Sequence, residues 1–281
     1  MLTVLRAGPL TTVQDLGRPG YAHLGVPRSG AADRPALRRA NRMVGNPEDA
    51  AGLETTLLGT RVRLEADRWV AVTGAGAEVS VDGRPVRSPF EVRAGAALRV
   101  GTARRGLRSY LAVGGGIAVP EVLGSRSTDR LSGLGPAPLR DGDRLPLGPP
   151  TDPGVPEDEP ELPAEPVLRL RTGPRADWFA GTGPLTAGAY TVGTDSDRIG
   201  LRLDGPRLTR VRHQELPSEG LVLGAVQVPA DGRPVLFLAD HPTTGGYPVV
   251  GVVHPDDVPL AAQARPGGRL RFQLVADHPV Q

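Results

Sequence analysis

The sequence predicts a mainly β protein with a few short helices, organised as two β-rich domains. Glycine and proline, at 38 and 30 residues, make up nearly a quarter of the 281 residues, which is about twice their average share. The apolar runs are short and are bounded by Gly, Pro or Asp-Gly, as is typical of strands joined by tight turns. Long apolar periodic segments are scarce, so few helices are expected.

Two helices are nevertheless predicted from capping and stop signals. In the first, Asp33 caps a helix over residues 36–44, and a Gly-Asn-Pro sequence ends it. In the second, Asp256 is the expected cap, and Leu260 and Ala264 are expected to face the core. Both helices are short, which agrees with a mainly β fold.

Nine short apolar runs predict strands, and two of them precede an Asp-Gly pair. Asp82-Gly83 and Asp231-Gly232 each follow an apolar run, so each predicts a hairpin turn. The predicted strands span residues 70–72, 77–81, 98–100, 110–113, 167–170, 221–228, 235–239, 249–253 and 270–274.

One segment breaks the pattern of strands and turns. Residues 149–166 read PPTDPGVPEDEPELPAEP, a composition that favours an extended, exposed linker over a packed element. We therefore expect an N-terminal β-rich domain at 1–148 and a C-terminal β-rich domain at 167–281. The alternative is a long surface loop inside one domain.

The composition excludes several chemistries. The chain has no Cys and no Lys, so it offers no thiol nucleophile, no P-loop lysine and no lysine to carry biotin. A net charge of +2 does not predict the strongly basic surface that binding to nucleic acid requires. No apolar run approaches the roughly 18 residues of a membrane span, and no nucleophile elbow or metal-ligand spacing occurs. We expect a cytoplasmic protein that acts on a small molecule, without membrane contact or a dedicated metal site.

A polar segment near the N-terminus supplies the first candidate residues. Between Thr11 and Tyr21 lie Gln14, Asp15 and Arg18, and an arginine fork suits a carboxylate or a phosphate. The alternative is a strand end in which Asp15 and Arg18 pair with each other. Both interpretations place the segment at a bend of the backbone, because glycines follow closely.

Three further sites in the first half combine polar groups with small residues. Ser29 lies in a Ser-Gly turn before the first helix, where free backbone N–H groups favour an anion, although ordinary capping by Asp33 is the simpler explanation of the turn. Glu54, considered together with Asn46, lies in an apolar stretch, so it is either a tuned base or the partner of an arginine. Arg126 and Ser127 lie in a hydroxyl-rich loop that suits a phosphate or carboxylate, or is merely solvated.

The second half contributes a second set of candidates. Asp197 and Arg198 lie in a short polar segment that ends in a glycine. The predicted strand over residues 235–239 ends in a loop dense in polar groups, where two glycine amides favour an oxyanion. Gln227 and Gln263 are unusual in otherwise apolar elements, so they are substrate-binding or satisfied core amides. The loop candidates are Asp240, Thr243, Thr244, Gly245, Gly246 and Tyr247, with His241 as a turn histidine.

Taken together, these segments resemble the KipA-like, allophanate hydrolase subunit 2 family, also called the biotin-dependent carboxyltransferase family. Its bacterial members are often the C subunit of 5-oxoprolinase. The matching strings are collinear and cover nearly the whole chain outside the linker. They are TTVQDLGRPGY (11–21), GVPRSGAAD (25–33), NRMVGNPEDAAGLE (41–54), LAVGGGIAVPEVLGSRSTD (111–129), TDSDRIGLRL (194–203), GAVQVPADGRPV (224–235) and DHPTTGGYPVVGVVHPDDVPLAAQARPG (240–267).

The resemblance implies a cyclophilin-like β-barrel architecture and three alternative roles. The first is membership of a complex that, with a KipI-like subunit and a LamB/YcsF-type subunit, opens 5-oxo-L-proline to L-glutamate with ATP. ATP is then expected to be shared with the partner subunit, with Mg²⁺ carried by the nucleotide. The second is a carboxyltransferase that takes a carboxyl group from carboxybiotin, as in urea carboxylase. The third is a non-catalytic regulator that binds a KipI-like kinase inhibitor.

The sequence departs from the family pattern at several positions. Arg28 and Ala32 replace other residues in the Ser-Gly segment, and the stretch after Arg130 lacks a glycine-rich pattern that many members carry. His241 stands where relatives often carry Gln, which argues against His241 as an essential base. Under the first role, Arg18, Ser29, Arg126 and Arg198 are the anion-binding candidates, and Asp15, Glu54 and Asp240 are the acid–base candidates.

Overall fold

The computed structural model describes residues 1–276, so the last predicted residues of the C-terminal domain, 277–281, lie outside the described residues. The chain forms two compact units. The first unit comprises residues 1–18 and 29–162, and the second comprises residues 19–28 and 163 onward. The short segment 19–28 therefore groups with the second unit, although it lies within the range expected for the N-terminal domain.

The first unit is built from eleven strands and one helix. The helix α1 spans Arg34–Met43. The strands are β1 (Leu2–Arg6), β2 (Thr11–Gln14), β3 (Gly52–Thr56), β4 (Arg61–Leu64), β5 (Arg68–Gly74), β6 (Val79–Val81), β7 (Arg84–Pro85), β8 (Phe90–Val92), β9 (Ala97–Val100), β10 (Arg108–Val113) and β11 (Arg144–Leu145).

These strands form two antiparallel sheets that share one apolar core. The first sheet has the order β11-β1-β4-β9-β6-β7, and the second has the order β2-β3-β10-β5-β8. Val4 and Leu64 of the first sheet join Leu53 and Leu111 of the second sheet in this core. Because side chains alternate between the faces of a strand, the intervening residues of each sheet point away from the core.

The helix α1 covers the outer face of the second sheet. Its buried Leu37 packs beside Tyr110 of β10, and Met43 packs beside Ala112 of the same strand. The second sheet is therefore covered on both faces, which explains why every residue of β10 is buried. Polar residues on the α1 side of this sheet are consequently removed from water.

The second unit contains nine strands, two α-helices and three short 3₁₀ turns. The strands are β12 (Val167–Thr172), β13 (Tyr190–Val192), β14 (Gly200–Asp204), β15 (Glu219–Gly220), β16 (Ala225–Gln227), β17 (Val235–Phe237), β18 (Thr244–Gly245), β19 (Val249–Val253) and β20 (Arg269–Leu274). The helices are α2 (Gly183–Ala187) and α3 (Val258–Ala262), and the 3₁₀ turns are Ala22–Leu24, Ala176–Trp178 and Pro255–Asp257.

Seven of these strands close into a barrel of order β12-β19-β16-β17-β14-β13-β20. A parallel pairing of β12 with β20 closes the ring. The interior holds apolar side chains such as Leu168, Tyr190 and Leu236, so the barrel is a packed core. The predicted mainly β class with a few short helices is confirmed.

The first predicted helix agrees closely with the structure, whereas the second differs in its cap. Asp33 caps α1 by accepting a hydrogen bond from the Ala36 N–H at 3.1 Å. Asp256 is not the cap of α3, because a 3₁₀ turn intervenes and the His254 side chain accepts the Asp256 N–H. Leu260 is only partly buried, while Ala264 packs in the core as predicted.

The two Asp-Gly pairs also behave differently. Asp82-Gly83 forms the predicted two-residue hairpin, since Val81 pairs with Arg84 across it and both turn residues have positive φ. Asp231-Gly232 lies instead within a longer connection, because β16 and β17 pair through Gln227 and Val235. Asp231-Gly232 therefore lies in the connection of the predicted hairpin, which is longer than two residues.

The Pro-rich acidic segment carries no helix or strand over residues 149–166, and most of it is exposed. Its first part is nonetheless fixed to the first unit by specific contacts. Glu157 forms a two-pronged ion pair with Arg42 of α1 at 2.6 and 2.7 Å, and Gly154 donates to the Met43 carbonyl at 3.0 Å. Proline-rich sequence prevents regular structure here, while the acidic side chains hold the segment against arginines.

No helix within residues 1–276 is long and apolar enough to cross a membrane.

Candidate functional site

A row of buried polar side chains crosses the α1 side of the second sheet in the first unit. Glu54 of β3 lies directly opposite Thr12 of β2 and opposite Tyr110 of β10. Gln14 and Arg108 lie two residues along their strands from Thr12 and Tyr110, so they share the same face. We call Thr12, Gln14, Glu54, Arg108 and Tyr110 the Glu54 row.

Glu54 is only 2% exposed, and groups of different character contact it. The Tyr110 hydroxyl donates to its Oε2 at 2.8 Å, and the Ala32 N–H donates to the same oxygen at 3.0 Å. The Arg108 guanidinium lies farther away, with 3.5 Å between its Nε and Glu54 Oε1. The predicted buried carboxylate is therefore found, and it has the arginine neighbour that the second interpretation required.

Tyr110 is the main functional candidate that sequence reasoning missed. Its hydroxyl donates to Glu54 and accepts the Asp33 N–H at 2.7 Å, which links the carboxylate to the start of α1. Burial, together with the negative charges of Glu54 and Asp33, holds the pKa of Tyr110 well above its usual range. The hydroxyl therefore stays protonated and remains a donor to Glu54.

Gln14 and Ser29 meet at one backbone carbonyl. The Gln14 amide donates to the Thr12 hydroxyl and to the Thr128 carbonyl, both at 3.0 Å, and Ser29 Oγ donates to the same carbonyl at 3.1 Å. Ser29 has φ of +53° and Gly30 has φ of +89°. A Cβ on Gly30 would lie 2.6 Å from the Gly17 nitrogen, so this close approach requires glycine.

Asp15 ties the end of β2 to the loop that carries Ser125, Arg126 and Ser127. Its carboxylate accepts hydrogen bonds from the Ser125 hydroxyl at 2.6 Å, the Ser127 hydroxyl at 2.5 Å, the Arg126 N–H at 2.6 Å and the Gly17 N–H at 2.7 Å. Three of these donors bind Oδ1 and one binds Oδ2, so most of the acceptor capacity of the carboxylate is used. Asp15 therefore acts as a structural tie for this loop.

The two arginines predicted in this region are placed differently. Arg18 is 1% exposed, and it donates to the carbonyls of Val122 and Ser127. Arg126 is about one-third exposed and pairs with Glu121 at 2.7 Å, while its Nε donates to the Val119 carbonyl. Arg18 is thus the deeply held cation, and Arg126 already has a carboxylate partner.

Asn46 lies at the other end of β10 from the Glu54 row. It donates to the Asn41 side chain and the Val113 carbonyl, and its oxygen accepts the Gly115 N–H at 2.8 Å. Its contacts connect the end of α1 to the turn after β10. The structure therefore does not bring Asn46 together with Glu54.

In the second unit, the predicted Arg198 and Asp240 form a buried, two-pronged ion pair. Arg198 Nε and one terminal nitrogen donate to the two Asp240 oxygens at 2.9 and 3.0 Å. The two side chains are 1% and 0% exposed. The backbones are also joined, because the Asp240 N–H donates to the Arg198 carbonyl.

Three other predicted residues of the second unit line one cavity of about 230 Å³. Asp197, Gln227 and Tyr247 share this cavity with Arg202 and Phe237. Gln227 donates to the Tyr247 carbonyl at 2.9 Å. Ile199 and Gly200 donate to the Asp197 carboxylate, so that side chain also shapes its own turn.

The polar loop after β17 is positioned by a small sheet. Thr244 and Gly245 pair with Gly220 and Glu219, and a Cβ on Gly245 would lie 2.7 Å from the Gln227 amide nitrogen. Of the remaining loop candidates, Thr243 is partly buried, whereas Thr244, Gly246 and Tyr247 are exposed. His241 is buried with its Nδ1 2.7 Å from the Pro242 carbonyl.

Gln263 ends α3, where its N–H donates to the carbonyls of Pro259 and Leu260, and it is 4% exposed.

Among residues 1–276, no group of three or more His, Asp and Glu side chains is arranged to hold a metal ion. The buried carboxylates and arginines described above can supply proton transfer and anion binding.

Comparison with known proteins identifies relatives over nearly the full chain. The family model described as carboxyltransferase domain, subdomain A and B, matches residues 24–274. The 5-oxoprolinase C subunit of Escherichia coli (strain K12) is 40% identical over 280 residues, which are 97% of this chain and 90% of that protein.

Solved structures share the fold. The crystal structure of TTHA0988 has a TM-score of 0.89 at 38% identity, with 97% of this chain covered, and this chain spans 55% of that one. The urea carboxylase of Kluyveromyces lactis has a TM-score of 0.90 at 30% identity, with 98% of this chain and 27% of that chain covered. The family resemblance found in the sequence is confirmed, and the chain belongs to the carboxyltransferase domain, subdomain A and B, family.

Proposed function

We propose that this chain is a subunit of an ATP-dependent 5-oxoprolinase, which opens 5-oxo-L-proline to L-glutamate together with a KipI-like subunit and a LamB/YcsF-type subunit. The observation that carries the proposal is the 40% identity to a 5-oxoprolinase C subunit, which extends over 97% of this chain and 90% of that relative. A match of this extent leaves little of either protein outside the comparison.

The reaction requires activation of a stable lactam. ATP transfers its terminal phosphoryl group to the ring carbonyl oxygen, and water then adds to the carbonyl carbon. The C–N bond breaks as the ring nitrogen takes up a proton, and a second water hydrolyses the resulting acyl phosphate to glutamate and phosphate. The protein must therefore supply a base for water, an acid for nitrogen and cations for phosphate and carboxylate.

The Glu54 row supports the acid–base part of this proposal. Glu54 is buried and shares a hydrogen bond with a hydroxyl that stays protonated. In our proposal Glu54 accepts the proton of the attacking water and returns it to the ring nitrogen, while Tyr110 fixes the orientation of the carboxylate. Asp15 is a weaker candidate, because its carboxylate already accepts four hydrogen bonds from its own chain.

The anion-binding part of the proposal depends on Arg18, Arg198 and Ser29. Both arginines are 1% exposed, and a water-poor setting strengthens their attraction to an anion. Arg198 pairs with Asp240, Arg126 pairs with Glu121, and Arg18 donates to the Val122 and Ser127 carbonyls. We infer that ATP, with any Mg²⁺ that accompanies it, is shared with the KipI-like subunit.

Reconstitution tests this function directly. Purified KipI-like and LamB/YcsF-type subunits with this chain should release glutamate and ADP from 5-oxo-L-proline and ATP, and omission of any one component should abolish the release. If the complete mixture is inactive although the chain binds the KipI-like subunit tightly, the oxoprolinase interpretation is wrong and the regulatory role is favoured.

A carboxyltransferase is the second candidate, favoured by the TM-score of 0.90 with a urea carboxylase. The chain has no lysine, so it cannot itself carry biotin, and carboxybiotin would have to come from a separate carrier. Carboxylation of urea by a biotin carboxylase and carrier only when this chain is added would support this alternative. Glutamate release under the conditions above, without any biotin protein, would contradict it.

A further inference from the structure

The outer face of the first sheet carries a row of arginines in direct register. Arg6 of β1 lies opposite Arg61 of β4, just after a bulge, and Arg61 lies opposite Arg99 of β9. Arg63 lies two residues along β4 on the same face. All four residues are exposed, and we call them the arginine row.

The arginine row has no carboxylate partner within the described part of the chain. None of its four guanidinium groups lies within 4.0 Å of an Asp or Glu oxygen among residues 1–276. Two acidic residues at the same sheet are engaged elsewhere, since Glu65 pairs with Arg144 at 2.6 Å and Asp141 accepts the Ala7 N–H at 2.8 Å.

This arrangement does not serve folding. Like charges directly opposite each other on neighbouring strands destabilise a sheet, and the core needs only the alternating Val62 and Leu64 on the other face of β4. Two outward arginines of the barrel contrast with this row, because Arg269 and Arg271 both pair with Glu165. The unmatched charge of the arginine row is therefore available to a partner.

We propose that the arginine row is a docking surface for an acidic segment of a protein partner, namely the KipI-like subunit of the complex. Planar guanidinium groups bind carboxylates through two parallel hydrogen bonds, and the three neighbouring strands place such groups across roughly 10 Å. A patch of this size fits a short acidic segment, whereas a nucleic-acid track usually needs more phosphate contacts and a more basic protein than the net charge of +2 provides. The proposal rests on the proposed function in one respect, that the chain acts in a complex with the KipI-like subunit.

Charge reversal in the middle of the row provides the test. The variants Arg61→Glu and Arg61→Glu/Arg99→Glu are compared with Arg207→Glu, which reverses an exposed arginine of the second unit that has no ion-pair partner among the described residues. Calorimetry should show at least about tenfold weaker binding of the KipI-like subunit to the row variants, and a lower salt dependence than the wild type. The control should bind like the wild type.

A second measurement separates docking from misfolding. Because a glutamate side chain at this position would lie between Arg6 and Arg99, the Arg61→Glu variant should melt at the same temperature as the wild type or higher. Binding unchanged within about twofold would overturn the docking surface while leaving the proposed function intact. Failure of the wild type to bind the KipI-like subunit would overturn both, and row-dependent binding of single-stranded DNA in its place would overturn the acidic protein partner.

Discussion

Each unit buries a carboxylate beside an arginine, but the two carboxylates are held in different ways. Asp240 of the second unit receives both prongs of Arg198 at 2.9 and 3.0 Å. Glu54 of the first unit receives a hydroxyl and an amide, and its arginine neighbour lies at 3.5 Å. The Asp240 carboxylate is thus oriented by a charged donor on both oxygens, whereas Glu54 Oε2 is oriented by a hydroxyl and a backbone N–H. The two-pronged pair favours a structural role for Asp240, and the Tyr110–Glu54 hydrogen bond is the contact on which we base an acid–base role for Glu54.

The largest expected effect is on activity, from Glu54→Gln. Because the amide keeps the shape of the side chain but cannot take up a proton, we expect kcat of the reconstituted complex to fall by about 10² to 10⁴. Because the variant also leaves the buried Arg108 without its carboxylate neighbour, the melting temperature should fall as well, so kcat is compared at a temperature where the variant is fully folded. Glu91→Gln, on an exposed position of β8, is the matched control and should keep full activity. An active Glu54→Gln complex would remove Glu54 from the mechanism.

The next effect is on stability, from breaking the buried pair in the second unit. Asp240→Asn leaves the Arg198 charge buried without its partner, so we expect a loss of about 3–5 kcal/mol in the free energy of unfolding. Denaturant unfolding measures this loss. In a double-mutant cycle with Arg198→Met, the second substitution should recover part of it, because the unpaired charge is then gone. A loss below about 1 kcal/mol would show that the pair is not a main structural element.

Asp15 gives a smaller stability effect and tests whether it is a tie or a base. Asp15→Asn removes acceptor sites from a carboxylate that takes four hydrogen bonds, so we expect roughly 2–3 kcal/mol of destabilisation. Asp82→Asn is the control, because Asp82 is exposed and accepts one N–H at 2.9 Å from Ala97 with its side chain. If Asp15→Asn keeps wild-type stability but loses activity, Asp15 is catalytic and our structural interpretation is wrong.

Local signals explain which parts of the fold were predictable. The start of α1 was predictable because Asp33 accepts a hydrogen bond from the Ala36 N–H, which lies only three residues along the chain. The predicted cap of the second helix was wrong because the chain enters α3 through a 3₁₀ turn. That turn is held by Asp257, which binds Arg169 from 88 residues away, a contact that no local pattern specifies. Short strands such as β4 were missed, since four alternating residues carry too little periodicity.

The candidate site shows the same limit. Glu54 and Asp15 stand out in sequence as carboxylates within apolar or glycine-rich segments, and both proved to be buried. Tyr110 and Arg108 were not selected, because their contact with Glu54 depends on the register between β10 and β3, which no local pattern specifies. The available signal was the alternation of Arg108 and Tyr110 on one face of a fully buried strand.

The smallest expected effects concern pH and again contrast the two units. Burial alone would raise the pKa of Asp257 in the second unit, but the hydrogen bonds and charge of Arg169 outweigh it and lower the pKa. Burial raises the pKa of Glu159 in the first unit against the opposing contacts of Gly74 and Arg39. Asp257 therefore stabilises the fold above its unfolded pKa of 3.8, and this stabilisation is lost as pH falls through the lowered folded value.

For Glu159 the sign is reversed, because its ionisation costs more in the folded state as pH rises from the unfolded value of 4.5 through the raised folded value. At neutral pH we expect Asp257→Asn to lower the melting temperature by roughly 2–4 °C and Glu159→Gln to leave it unchanged or slightly higher. Near pH 3 the difference between the Asp257 variant and the wild type should shrink. An equal decrease in the melting temperature of both variants at neutral pH would contradict this prediction. It would mean that the charge of Glu159 stabilises the fold as much as the charge of Asp257 does.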